Sequence, residues 1–503
     1  MDETLEWALY DFGTLVKVYG LLPALSIVVA AAWSEFYAIP AFAATALAAY
    51  GLGRVFERAF AEPDEDDMRS GVITVVVGWF VCGLLSAGPL LLVAWTVRAA
   101  PTSVGVLSPP AMTGPLATFL QPTNAVFEGM SGATGTGFSM ASDPGELPRA
   151  LQWWRSAVQW VGGIGVVVLA AAFVSSEESH TFSAVHGNRA PTESIRSTTT
   201  GTAAALWWLL ALLTVASALL LWLAGMEPWA ALNHAMTGVT TGGFTITASS
   251  IETYGDPVVE LALLPVMIAG AVSFSLLFFC FRGDSDRIRG DVQTKWLFGA
   301  LGLGSLAVVA VLALTAAYPT AAETIRYGTF QLVSGLTCTG FQTDTNLGGA
   351  WAEPATLLVA SSMLVGGAAG STAGGMKIIR ARRVLVDIPE RGMDVYEPSE
   401  PSAETAGSVT QTFDTAAAIA ICWFVVLFAT TVLALLVLPG EQSTANVLFE
   451  VASVQGNVGL SAGIVDPTIP PSLKLAFVVA MWVGRLEIVP VIVTGSLLLD
   501  KVR

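Results

Sequence analysis

The sequence predicts an all-α integral membrane protein in which a span, a half-helix, a loop and a second span recur four times about one axis, after two extra N-terminal spans. Three observations predict it. The 503 residues are 54% hydrophobic and 12% charged, with a mean hydropathy of +0.67. Ten apolar runs reach the length of about 20 residues that a bilayer requires. One eight-residue pattern is written four times: Ser131-Gly-Ala-Thr-Gly-Thr-Gly-Phe138, Thr237-Gly-Val-Thr-Thr-Gly-Gly-Phe244, Ser334-Gly-Leu-Thr-Cys-Thr-Gly-Phe341 and Ser453-Val-Gln-Gly-Asn-Val-Gly-Leu460.

In chain order, runs 14–32 and 36–53 form the extra pair, within residues 1–70. The first repeat, 71–203, has spans 71–97 and 151–174 around a short segment at 123–134. The second, 204–295, has 204–225, 229–240 and 257–281. The third, 296–412, has 296–317, 326–337 and 354–380, and the fourth, 413–503, has 413–438, 446–457 and 473–498. Twelve helical residues rise about 18 Å, too little for a hydrocarbon core of about 30 Å. Each short segment is therefore expected to be re-entrant, with its loop climbing back through a polar cavity. Asn124-Ala-Val-Phe-Glu128 aligns without gaps with Asn446-Val-Leu-Phe-Glu450, and the glycines Gly137, Gly243, Gly340 and Gly459 are 106, 97 and 119 residues apart. Loops that return on one face imply parallel repeats and pseudo-fourfold symmetry around a central pore; inverted repeats would alternate faces.

Charge sets the orientation. The loops 54–70, 175–203, 282–295, 381–412 and the C-terminus hold most basic residues, among them Arg58, Arg189, Arg196, Arg287, Arg382, Arg383, Arg391 and Arg503. The opposite set has chiefly Arg98, Arg149 and Arg326. By the positive-inside rule the pattern loops open outward and both termini are cytoplasmic. The acidic start (Asp2, Glu3, Glu6) is unlike a cleavable signal peptide. A net charge of −16 argues against nucleic-acid binding. Only five of 23 basic residues are lysine, which suits a salt-rich cytoplasm and a halophilic prokaryote; acidic loops alone account for it equally. Cys82, Cys280, Cys338 and Cys422, with His180, His186 and His234, have no spacing that suggests a disulfide framework, a metal centre or an enzyme.

The chemistry lies in the loops. A dehydrated cation needs close oxygens in place of water, and four strands can supply rings of carbonyls. The expected donors are Thr134, Gly135, Thr136 and Gly137; Thr240, Thr241, Gly242 and Gly243; Thr337, Cys338, Thr339 and Gly340; and Gly456, Asn457, Val458 and Gly459. Glycine permits backbone angles that turn a carbonyl to the axis. Half-helix C-termini aimed at the centre favour a cation there. Asp143, Asp256, Asp344 and Asp466 either concentrate cations at the outer mouth or are ordinary loop acids. Glu128 and Glu450 either tune the ion or, more simply, bond nearby backbone.

Residues 366–375 place five glycines, Gly366, Gly367, Gly370, Gly374 and Gly375, in ten positions of an apolar run. Each costs about 1 kcal/mol in a helix, so this span is expected to break, with Ser371 and Thr372 satisfying freed backbone. Gly375-Met-Lys377-Ile lacks Walker spacing. Arg485, near the middle of the last run, costs about 2.5–3.5 kcal/mol there and needs a partner on another segment or a watery pore. Glu487, two positions on, diverges from it on a helix. Lys377, Arg380, Arg382 and Arg383 read as the positive cytoplasmic flank.

The loop sequences Thr136-Gly-Phe138, Gly242-Gly-Phe244, Thr339-Gly-Phe341 and Asn457-Val-Gly-Leu-Ser461 resemble the four selectivity filters of the Trk/Ktr/HKT potassium transporter superfamily. Gly366–Lys377 and Gly484-Arg-Leu-Glu487 are similar to signatures of its TrkH branch, so the resemblance covers nearly the whole chain. It implies a homodimer with one pore per subunit, K+ in the filters, and a separate cytoplasmic TrkA-type ring that carries the nucleotide, ATP/ADP or NAD. No inside loop exceeds 32 residues, so no nucleotide domain is expected in this chain. The resemblance also implies that 366–375 forms a mobile gate below the filter and that Arg485 faces the permeation path. Glycine in all four filters is similar to the potassium-selective members; some relatives with serine at one position carry sodium. A sodium- or proton-coupled potassium carrier, or a poorly selective cation pore, is the alternative.

Overall fold

A computed structural model describes residues 3–60, 68–99, 109–176, 199–284, 286–386, 403–440 and 442–499. The expected inside residues Arg189, Arg196, Arg391 and Arg503 and the histidines His180 and His186 lie outside them. All regular structure among the described residues is helical. The longer helices are α1 (Glu3–Tyr19), α2 (Leu21–Ala32), α3 (Ile39–Ala59), α4 (Met68–Ala99), α5 (Pro122–Ala133), α6 (Arg149–Ser176), α7 (Thr199–Leu223), α8 (Pro228–Val239) and α9 (Pro257–Ala271). They continue with α10 (Phe274–Phe281), α11 (Val292–Leu314), α12 (Ala321–Leu336), α13 (Glu353–Val365), α14 (Ala403–Val437), α15 (Thr444–Gln455), α16 (Pro471–Arg485) and α17 (Val489–Leu499).

Among the described residues six stretches are long and apolar enough to cross a membrane: Glu3–Ala32, Phe36–Ala59, Arg69–Ala99, Gly201–Leu223, Val292–Leu314 and Ala416–Val437. They expose Leu25, Val28, Leu47, Leu212, Val215, Leu303, Leu306, Val425 and Phe428, as helices facing an apolar environment do. The first is longer than the expected 14–32, because α1 and α2 follow each other through Gly20.

The other four expected spans are not plain apolar rods. Run 257–281, expected to be continuous, is broken at Val272–Ser273, where α9 and α10 meet at 106°. Run 473–498 is likewise broken between α16 and α17, at 102°. Run 354–380 breaks as expected: α13 ends at Val365 and helix resumes at 378. The fourth, α6, carries Gln152, Arg155 and Gln159 at helical spacing, all buried. Proline opens α5, α8, α9, α13 and α16, where its missing N–H is not needed. Thr320 and Glu323 form a capping box that starts α12 earlier than the expected 326. Even at 16 residues, α12 rises only about 24 Å.

The N-terminal helices are tied to the rest through Glu35, whose carboxylate accepts from the amides of Arg149 and Ala150 at 2.7 and 2.8 Å and so caps α6. The short helices α5, α8, α12 and α15 are buried at their C-terminal ends.

Candidate functional site

Each short helix closes in the same way. Numbering the eight pattern residues from one, the amide of position six donates to the carbonyl of position one: Thr136 to Ser131 (2.8 Å), Gly242 to Thr237 (2.7 Å), Thr339 to Ser334 (2.9 Å) and Val458 to Ser453 (2.9 Å). The amide of position five donates to the carbonyl of position two, from Gly135, Thr241, Cys338 and Asn457 at 3.0 to 3.3 Å. This pair of bonds is the Schellman closure, which needs a left-handed residue at position five. All four have positive φ: Gly135 64°, Thr241 50°, Cys338 56° and Asn457 52°. Only the first is glycine, so the strained conformation of the other three is not legible in the pattern. Position seven is left-handed as well, at Gly137 (89°), Gly243 (75°), Gly340 (82°) and Gly459 (92°), and there glycine is used every time.

The four loops touch in a closed cycle. A Cβ at Gly137 would collide with the carbonyl oxygen of Gly242, one at Gly243 with that of Thr339, one at Gly340 with that of Val458, and one at Gly459 with that of Thr136. Each glycine thus makes room for a position-six carbonyl of the next loop, and the fourth returns to the first. Hydroxyls reinforce the layer: Thr134 and Thr136 are 2.7 Å apart, Thr337 and Thr339 2.8 Å, and Asn457 Nδ2 donates to Thr136 at 2.9 Å. Thr134, Thr240 and Thr337 also donate back to the carbonyls of Met130, Met236 and Val333.

Outside this layer the climbing limbs are held from behind. Glu128 accepts from Met140 N (2.5 Å), Ser139 Oγ (3.0 Å) and Arg155 Nε (2.6 Å). Glu450 accepts from Ala462 N, Ser461 Oγ and Val465 N at 2.7 to 2.8 Å, and among the described residues no ion pair is formed by it. Glu450 is held by two loop amides and a hydroxyl, whereas Glu128 also pairs with the Arg155 guanidinium. Gln342 and Ser461 exchange hydrogen bonds between the third and fourth limbs. Arg155 and Gln159 were not singled out from the sequence; the available signal was three polar residues at helical spacing inside an apolar run.

Beneath the loops lies the interrupted span. Ala368 N donates to Ala271 O (2.9 Å), Thr372 N to Gly270 O (3.1 Å) and Phe274 N to Gly370 O (2.9 Å). These bonds occupy the groups that α9 and α10 lose where they part, which is why an apolar run breaks there. Thr372 Oγ1 reaches Val239 O at 3.1 Å and Gly270 O at 2.9 Å, and accepts from Thr241 at 3.2 Å. Gly375 N donates to Gly456 O at 3.0 Å. Segment 366–377, containing Gly366, Gly367, Gly370, Ser371, Thr372, Gly374 and Gly375, is therefore pinned against the second and fourth loops.

Arg485 ends α16, is 3% exposed, and donates to Thr372 O (2.9 Å) and Gly162 O (3.2 Å). A Cβ at Gly135 would lie 3.7 Å from its guanidinium, so the charge sits directly against the first loop. No carboxylate among the described residues pairs with it, and Nε has no partner there. Glu487 instead meets Arg380 at 2.5 Å and Lys377 at 3.9 Å. Lys377 is buried, left-handed (φ 75°), and donates to Ala373 O. The pairing of Lys377 and Arg380 with Glu487 is not legible in the sequence, because the partner lies 107 to 110 residues away.

The remaining candidates have local partners. Asp143, Asp256, Asp344 and Asp466 accept from Gly145, Val258, Asn346 and Thr468 of their own turns. The Cys338 thiol faces the carbonyls of Leu336 and Met363 at 3.9 and 4.0 Å, behind the third loop.

Residues 39–502 match the TrkH family, described as cation transport protein. An uncharacterized cation transporter of Methanocaldococcus jannaschii is 28% identical over 99% of this chain and 96% of its own. A Trk system potassium uptake protein, TrkH, of Halomonas elongata is 32% identical over 84% of each chain. The crystal structure of the potassium transporter TrkH from Vibrio parahaemolyticus superposes with a TM-score of 0.80 at 24% identity, covering 98% of both chains, and shows the fold to be shared. On the family match over most of its length, the chain belongs to the TrkH family of membrane cation transporters.

Proposed function

We propose that this chain carries potassium into the cell through a filter lined by main-chain carbonyls of the four pattern loops. The observation that carries the reading is the closed cycle in which each position-seven glycine admits the next loop's position-six carbonyl. Oxygens gathered this closely replace the water of a dehydrated cation without themselves titrating. The C-terminal ends of α5, α8, α12 and α15 add partial negative charge at the same place. The names of the relatives, Trk system potassium uptake proteins, support potassium as the ion.

On this reading the fold comprises four span–half-helix–loop–span repeats, 71–203, 204–295, 296–412 and 413–503, about a pore, with 1–70 as an added pair. Segment 366–375 is the gate, and Arg485 is the cation that opposes potassium while the gate is shut. Two unit charges 4 Å apart repel by about 4 kcal/mol at an effective dielectric of 20, enough to empty a pathway. Opening requires Thr372 to leave Arg485, Gly270 and Val239 together. The working unit is a homodimer in the cytoplasmic membrane with both termini inside, controlled by a separate nucleotide-binding ring. The source is a halophilic prokaryote.

Rubidium-86 uptake into sealed liposomes, with sodium and pH varied separately, tests the reading. Uptake that follows the potassium gradient alone is expected. Strict dependence on a sodium or proton gradient would replace it with the coupled carrier. The chain purified alone is expected to bind ATP or NAD weakly; tight stoichiometric binding would contradict a separate regulatory ring.

A further inference from the structure

Position six is filled unequally in the four loops. Thr136, Thr339 and Val458 bring side chains, whereas Gly242 brings none. Its φ is not positive, so backbone conformation does not require glycine there. Space does: a Cβ at Gly242 would lie 2.6 Å from both Cδ and Oε1 of Gln159. Gln159, fully buried on α6, donates from Nε2 to Gly242 O at 2.5 Å and accepts from Phe244 N through Oε1 at 3.0 Å. One turn earlier, Arg155 donates from Nη1 to Thr245 O at 2.8 Å and lies 4.1 Å over the Phe244 ring, while its Nε holds Glu128.

We propose that Gln159 supplies from α6 the side chain that the second loop lacks, and so positions the Gly242 carbonyl and sets the ion selectivity of that loop. The inference rests on the filter reading above and extends it to a residue outside the loops. The Gly242 carbonyl sits in the cycle against Gly137, so a shift in it changes the spacing of the whole layer. Arg155 anchors the next residues of the same limb, which leaves Gln159 to orient the carbonyl itself. Gly242 and Gln159 therefore form a complementary pair: a side chain at 242 must push the Gln159 amide off its two bonds to the loop.

The test is rubidium-86 uptake with competing sodium by the full chain in liposomes. Gln159→Ala is expected to lower potassium-over-sodium selectivity about tenfold, the factor associated with losing one buried hydrogen bond. Gly242→Thr alone should lower it similarly through collision. Gly242→Thr with Gln159→Ala should recover to within about twofold of the parent, as expected when two residues share one space. Unchanged selectivity in Gln159→Ala, or a double variant no better than the worse single one, overturns the assignment. If Gln159→Ala does not assemble, Gln159→Met keeps the length but has no donor for Gly242 O; unchanged selectivity there also overturns it. Gly243→Ser separates the two levels. If it loses selectivity while Gln159 variants do not, only this inference fails; if it too retains selectivity, the filter reading fails with it.

Discussion

Arg485 donates from Nη1 to the main-chain oxygen of Thr372 across 2.9 Å, joining the end of α16 to the middle of the interrupted span. The same guanidinium lies against Gly135, so one side chain touches both the loop layer and the segment beneath it. Its two bonds go to main-chain carbonyls, and among the described residues no carboxylate forms an ion pair with it.

Arg485→Gln removes that charge and the tie to Thr372. Basal rubidium uptake without a regulatory partner should rise by about tenfold or more, since about 4 kcal/mol of repulsion is the scale at stake. Unaltered uptake would reduce Arg485 to a strut between helices.

Serine at Gly137 or Gly340 must place a Cβ against the carbonyl of Gly242 or Val458 in a left-handed backbone. The conformation alone costs about 1–2 kcal/mol, and the collision widens the cycle. Sodium should compete with rubidium more effectively in both variants. Unchanged competition in both would exclude these glycines from ion recognition.

Glu128 and Glu450 occupy corresponding places but differ in partners. Glu128→Gln strands the buried Arg155 cation, a loss of about 3–5 kcal/mol. Glu450→Gln keeps an acceptor for its amide donors and should cost about 1–2 kcal/mol. Thermal unfolding of the purified chain in detergent should rank them in that order; equal losses would mean that the Arg155 pair contributes little.

Glu487→Gln leaves Lys377 and Arg380 without their shared carboxylate at the lower edge of segment 366–377. Lys377, Glu487 and Ile488 all hold positive φ (75°, 59° and 67°), a strained arrangement whose cost these ion pairs offset. Loosening it should raise basal uptake severalfold, less than Arg485→Gln, because the charge under the loops is retained. A fall in uptake would show that the ion pairs support the open state instead.

Much of the loop layer was legible in advance because its chemistry is local. Gly137, Gly243, Gly340 and Gly459 mark positive φ where a side chain would not fit, and the segments before them are too short to span. Thr241, Cys338 and Asn457 escaped notice as left-handed residues because they carry side chains that elsewhere adopt ordinary angles. Gln159 and Arg155 were hidden inside α6, a run otherwise apolar enough to pass as lipid-facing.

By itself the sequence determined the membrane class, the number of apolar runs, the glycine-rich interruption after Val365 and the four repeated turns. Those follow from transfer free energy, rise per residue and backbone sterics, all properties of neighbours along the chain. Tertiary structure decided that the four turns close into one cycle, that Ser273 lies at a break, and that Lys377 and Glu487 face each other. Each of these depends on hydrogen bonds or charges contributed by segments far away in sequence, and buried backbone groups accept whatever partner the packing brings.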